Sequence, residues 1–239
     1  MMEKEMGINQ IILVTDGQSN TGGSPISAAK EAYNKNIIVN TIGLIGKNKE
    51  EEKPLAEIID IAEAGGGIYE YTYIEELYQT MQSITYRTVN KTIQEAVNKQ
   101  LGEMMGQGLD DIPPASRSKL LRYIDSFSDR IGLYCVIVLD TSASMGKKIP
   151  AARNSILDLL DSLKSRKGKV ELGVVSYPGK KEDSELIFNL GEKLDQLEER
   201  LYKIETRGVT PTAPAIYRAT DLLLERIGQG QMELEKVRG

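Results

Sequence analysis

Six short runs of apolar, mostly β-branched residues recur along the chain, at Gln10–Thr15, Ile37–Leu44, Ile68–Thr72, Tyr134–Leu139, Val170–Tyr177 and Glu185–Leu190. They end in turn residues, and the strongest, YCVIVL, has no charged residue at any position. A strand that is apolar on both faces must be covered on both faces, as strands of buried parallel sheets are. Between the runs lie patterns of helical period. Ile26, Ala29 and Ala32 fall on one face of 25–35, and Leu55, Ile58, Ile59 and Ala62 on one face of 54–64. Ala152, Ile156, Leu159, Leu160 and Leu163 do so in 149–164, as do Ile216, Ala219, Leu223 and Leu224 in 214–227. Gly65–Gly67 ends the second helix, because glycine takes left-handed geometry cheaply. The fold class is therefore α/β, a doubly wound, mostly parallel sheet with helices on both faces.

The middle of the chain breaks this alternation. One long helical pattern runs from Ile74 to about Met105, with Leu77, Met81, Ile84, Ile93, Val97 and Leu101 in register. The segment GQGLDDIPPA at 106–115 interrupts it, since proline disfavours helix at the position before it. A second helix is expected from Ser116, carrying Leu120, Ile124 and Phe127. This reads as a helical hairpin between two α/β blocks. The polar, glycine-bearing ends, Met1–Gly7 and Gly228–Gly239, are expected to fray.

Composition removes several classes of function. The 239 residues include no histidine, which excludes His-based catalysis, HExxH zinc chemistry and His-ligated haem. A single cysteine, Cys135, rules out an intrachain disulfide and a cysteine-rich zinc site, and its place in a buried strand pattern makes it inert core. A formal charge of −5 argues against a nucleic-acid grip, which needs basic surface. No apolar stretch is long enough to span a bilayer, so no membrane attachment is expected and the reading is cytoplasmic.

Chemistry concentrates in three loops. Asp140-Thr141-Ser142-Ala143-Ser144 directly follows the run Tyr134–Leu139, placing a carboxylate and two hydroxyls at the carboxyl edge of the sheet, where open α/β folds bind ligands. Thr15-Asp16-Gly17 ends another apolar strand, and Gly208-Val209-Thr210-Pro211-Thr212 precedes a helix. Oxygen donors of this kind suit a hard cation such as Mg2+ or Mn2+. Each loop alone has a plainer reading: helix capping for the Ser and Thr residues, a turn for Asp16. Converging, they would form one site.

At these residues the chain resembles the von Willebrand factor A domain, of bacterial intracellular type, with its metal ion-dependent adhesion site. The resemblance covers roughly residues 8–90 and 134–227. In that family the D-x-S-x-S loop comes first, a threonine loop second and a T-D-G-type loop third; here Asp16 precedes Asp140 and Thr210. Moving residues 1–90 behind Gly239 restores the family order. The chain thus looks circularly permuted, with 134–239 the N-terminal half of the domain, 1–90 the C-terminal half, and 91–133 a helical hairpin linker. A closed monomer is expected, with a swapped dimer as the alternative.

The resemblance implies that Ser142 and Ser144 ligate the ion directly. Thr210 would do so directly or through water, and Asp140 and Asp16 would mostly hold the waters of the hydrated ion and the hydroxyls. Val209 stands where the family often has a second glycine. Neutral hydroxyls around a divalent ion leave it under-neutralised along one open direction, which an Asp or Glu of a partner protein completes. The implied role is that of an adaptor or scaffold rather than an enzyme.

Two alternatives stand beside it. A Mg2+-dependent phosphatase or phosphotransferase would use Asp140, but acid/base work there wants a carboxylic acid two residues on, and that residue is Ser142. No phosphate-cradling G-x-x-x-x-G-K-[ST] loop occurs. Alternatively the helical hairpin docks a partner independently of metal, with Met81, Met104 and Met105 as adaptable contacts. Tyr69, Tyr71 and Tyr73 alternate and should share one face of a strand, and Lys180-Lys181 reads as solvated surface.

Overall fold

The computed structural model describes residues 7–46, 56–106, 108–193 and 196–238, with side chains to residue 229. Six strands form one sheet: β1 (Gly7–Thr15), β2 (Ile37–Leu44), β3 (Gly66–Thr72), β4 (Gly132–Asp140), β5 (Val170–Tyr177) and β6 (Glu185–Phe188). Their spatial order is β3-β2-β1-β4-β5-β6, parallel except for the antiparallel edge strand β6. The helices are α1 (Pro25–Asn34), α2 (Ala56–Ala64), α3 (Leu77–Met105), α4 (Pro114–Ser128), α5 (Ile149–Leu163), α6 (Leu197–Tyr202) and α7 (Thr212–Arg238). The α/β fold expected from the strand and helix periods is the fold present.

The period-two alternation of β4 divides the core into two layers. Cys135, Ile137 and Leu139 pack with Met81 and Ile84 of α3 and Ile156 and Leu159 of α5. Tyr134, Val136 and Val138 face the other way, onto Ala29 and Ala32 of α1 and Ile216 and Ala219 of α7. β1 and β4 lie side by side, Leu13 opposite Val138 and Val14 opposite Leu139. From β1 the chain crosses by α1 to β2 on one side, while from β4 it crosses by α5 to β5 on the other. The crossovers diverge at this pair, so a crevice opens at the carboxyl ends of β1 and β4, the point where open α/β sheets bind ligands.

Several local expectations change. Ile26 is exposed, and the buried face of α1 is Pro25, Ala28, Ala29 and Ala32. The long middle helix opens with a single 3-10 turn at Ile74–Glu76 before α3 begins at Leu77. It runs unbroken past residue 90, buried as far as Ile93. α4 starts at Pro114 rather than Ser116, because a proline in the first turn forfeits no helical hydrogen bond. Met81 is core, whereas Met104 and Met105 are exposed. The expected fraying from Gly228 is not seen, since α7 continues to Arg238. Residues 1–6, at the other end, lie outside the described residues. α6 had no counterpart in the sequence reading.

Gly66 takes φ +65° at the start of β3, and a Cβ on the next residue, Gly67, would meet the backbone oxygen of Val39 at 2.1 Å, so the glycine stop is enforced twice over. Tyr69 and Tyr71 stack edge to face with ring centroids 6.3 Å apart. Among the described residues no helix is long and apolar enough to cross a membrane.

Candidate metal centre

The three loops singled out in the sequence meet at the β1–β4 crevice. The last residues of the two strands are tied first: Thr15 Oγ1 donates to Asp140 Oδ2 at 2.6 Å, and both residues are buried. Asp140 Oδ1 accepts from the backbone N–H of Ser142 at 2.8 Å, folding the D-x-S-x-S segment back over the strand end. Burial pushes the Asp140 carboxyl above its ordinary value, against the lowering effect of the Thr15 and Ser142 hydrogen bonds.

Ser142 stands before a 3-10 turn at Ala143–Lys147, but its side chain does not cap that turn. Its hydroxyl lies instead 3.1 Å from that of Ser144. Ser144 Oγ donates to Asp16 Oδ1 at 2.7 Å. These contacts set aside helix capping for Ser142 and a mere turn role for Asp16. The second Asp16 oxygen is held by Lys148 Nζ at 2.6 Å, and the Asp16 side chain is only 1% exposed.

The threonine loop is held from two directions. Ser142 bridges to Arg207, whose N–H donates to Thr141 O at 2.8 Å. Thr210 N donates to Asn20 Oδ1 at 2.9 Å, and Thr210 O accepts from Asn20 N at 3.2 Å and Ser19 Oγ at 3.3 Å. Ser19 N in turn donates to Glu57 Oε2 at 2.7 Å. Thr210 is buried and placed by its backbone next to the loop that carries Asp16.

The structure thus brings Asp16, Ser142 and Ser144 into one hydrogen-bonded chain, puts Asp140 beneath them and packs the Thr210 loop alongside. The set is oxygen only, three hydroxyls and two carboxylates, which suits a hard divalent cation. No group of three or more His, Cys, Asp or Glu residues capable of holding a metal occurs among the described residues, so any cation here depends on the hydroxyls. One further buried polar atom lies beside the site. The Tyr177 hydroxyl is fully buried, near the Asp140 carboxylate and beside the Thr15 and Thr212 side chains. Burial and the Asp140 charge push it well above its ordinary value.

Lys148, Thr15 and Tyr177 were missed in the sequence. Thr15 could have been found, because it sits inside the T-D-G segment at a strand end. Lys148 and Tyr177 carry no sequence signal, since each reaches the site only through contacts with distant residues.

A six-stranded doubly wound sheet with hydroxyl and carboxylate loops at its switch point defines the class, and the chain belongs to the von Willebrand factor type A domain family, matched at residues 2–87 and again at 135–234. It is similar to the uncharacterized protein YabS of Bacillus subtilis (strain 168), 37% identical over 222 residues that span 92% of this chain and 90% of that one. YwmC of the same organism is 39% identical over 82 residues, 33% of this chain and 34% of that one. The crystal structure of an uncharacterized protein from Alicyclobacillus acidocaldarius superposes with a TM-score of 0.87 at 37% identity, covering 93% of this chain and 96% of that one.

Proposed function

We propose that the protein is a metal-dependent protein-binding module, an adaptor or scaffold rather than an enzyme, that holds Mg2+ or Mn2+ at a metal ion-dependent adhesion site and docks a partner through it. Ser142, Ser144 and Thr210 would supply hydroxyl ligands, while Asp140 and Asp16 fix those hydroxyls and balance the charge. The observation that carries this reading is the Ser144–Asp16 hydrogen bond at 2.7 Å, made across 128 residues of sequence. Capping or turn formation gives no reason for that contact.

When bound, the ion supplies an open, positively charged coordination direction. The residues of this chain do the rest: Thr15 and the Ser142 N–H keep Asp140 ionisable inside the fold, and Asp16 orients the Ser144 hydroxyl. An Asp or Glu side chain on a partner protein matches the remaining charge. We place the protein in the cytoplasm, with no nucleic-acid or membrane ligand.

The same reading takes the chain as a permuted domain: residues 134–239 form its first half, 1–90 its second, and 91–133 the connection. We take the chain as a closed monomer, in which β1 and β4 of the same chain pair directly. The co-linear similarity to YabS over 222 residues supports the order as a property of the relatives also.

Calorimetric titration of Mg2+ and Mn2+ into the protein and Asp140→Ala tests the site, followed by partner capture with and without chelator. The expected result is saturable binding lost in Asp140→Ala and capture abolished by chelator. One observation favours a second surface on the α3–α4 hairpin: Met104, in the last turn of α3, is 80% exposed and Tyr123 of α4 is 66% exposed. Capture that survives chelator but is lost in Met104→Glu would assign docking to the hairpin.

A further inference from the structure

We propose that Lys148 sets the electrostatic balance of the candidate site, weakening its hold on a divalent cation while making the loaded site attractive to a carboxylate. This rests on the cation-site reading above and extends it to a residue outside the ligand set. Lys148 is no loose surface charge. Its ammonium lies 2.6 Å from Asp16 Oδ2, its side chain is 19% exposed, and its backbone N–H donates to Met145 O at 2.8 Å. It is therefore fixed to the same loop as Ser144, whose hydroxyl holds the other oxygen of Asp16.

Counting charges shows what the ammonium does. The two carboxylates of the cluster, Asp140 and Asp16, bring two negative charges and Lys148 returns one positive charge. A divalent ion then leaves the cluster with one net positive charge, which a single carboxylate from a partner neutralises. Without Lys148 the loaded cluster is already neutral, and an incoming carboxylate would make it negative. Glu57, engaged by Ser19 N, contributes equally in both cases. The ammonium also competes directly for an Asp16 oxygen, so its removal frees that carboxylate for the cation.

Lys148 thereby acts with opposite sign on two binding steps, and a merely structural brace would not. If the side chain only held Asp16 in place, neutralising it would loosen the site and weaken cation binding.

The test compares wild type, Lys148→Met, which keeps the stem without the charge, and Lys148→Arg, which keeps the charge. Free Mn2+ is followed by electron paramagnetic resonance during titration. Acetate is then titrated into the Mn2+-loaded proteins and followed by water-proton relaxation. Lys148→Met should bind Mn2+ about tenfold more tightly and acetate about tenfold more weakly, while Lys148→Arg stays near wild type. Unchanged or weaker Mn2+ binding in a folded Lys148→Met, or unchanged acetate binding, overturns the proposal and leaves the cation site standing. Absence of saturable Mn2+ binding in wild type removes both.

Discussion

Thr15 and Asp140, the last residues of neighbouring central strands, share a 2.6 Å hydrogen bond that places a carboxylate inside the protein. Burial raises the Asp140 carboxyl above its ordinary 3.8. Between that value and its raised one, the folded state binds more protons than the unfolded state, so stability falls as pH rises through the window. Metal-free Asp140→Asn should lose this decline and match or exceed wild-type stability at neutral pH. Urea melts from pH 4 to 8 measure it, and an unchanged slope with pH would contradict it. Thr15→Val, which strips a buried carboxylate of a donor, should cost about 2 kcal/mol at neutral pH.

Asp16 touches the site through both its oxygens but contributes nothing to the hydrophobic core. Asp16→Asn, which keeps the shape of the buried side chain and an acceptor for Ser144, should stay folded while its Mn2+ affinity falls about 10- to 100-fold. Titration followed by electron paramagnetic resonance reads the affinity, and retained affinity would remove Asp16 from the site.

A second pH effect has the opposite sign. Burial would raise Glu171, but hydrogen bonds from Arg226 at 2.7 Å and from Lys169 outweigh it, so its carboxyl sits below its ordinary 4.5. Its contribution is complete above 4.5 and is lost as pH falls through the lowered value. Arg226→Met should cost on the order of 2 kcal/mol at pH 7, since it leaves a mostly buried carboxylate with only the half-exposed Lys169. The deficit should shrink towards pH 3; a deficit independent of pH would assign it to lost packing against Tyr134 instead.

Cys135 is fully buried in β4 and its thiol is pushed up to about 12 by burial. Maleimide labelling of the native protein should proceed only at the rate of global opening. Labelling faster than amide exchange of β4 would show local access to the core.

The permuted-domain reading proposed above predicts that moving the first half of the chain behind the second leaves the domain intact. A chain beginning at Gly108 and ending at Gly106, its original ends joined by a flexible linker of about 15 residues, should fold as a monomer and bind Mn2+ as the parent does. Sedimentation and the same Mn2+ titration check this, and an obligate dimer would favour exchange of halves between chains.

The elements easiest to find in the sequence were those with two apolar faces. β2 and β5 occupy the expected residues, because β-branched runs bounded by turns leave no other conformation able to bury both faces. The polar parts of the interior were hidden. Gln10 donates to Thr85 and accepts from Asn40, which accepts in turn from Thr88, a buried network linking β1 and β2 to α3 that no local pattern announces. Ile26 misled, since alanines and a proline gave α1 its closer fit to the sheet. Of the groups that meet at the crevice, Asp140, Ser142 and Ser144 stand out by spacing, and Asp16 and Thr210 by their loops. Lys148 does not, because its partner lies 132 residues away.

The crevice between β1 and β4 draws its groups from position 16 at one extreme and position 210 at the other. A ribosome must deliver everything from residue 16 to residue 210 before those groups can meet. A chain that stops short of residue 210 therefore lacks the assembled crevice.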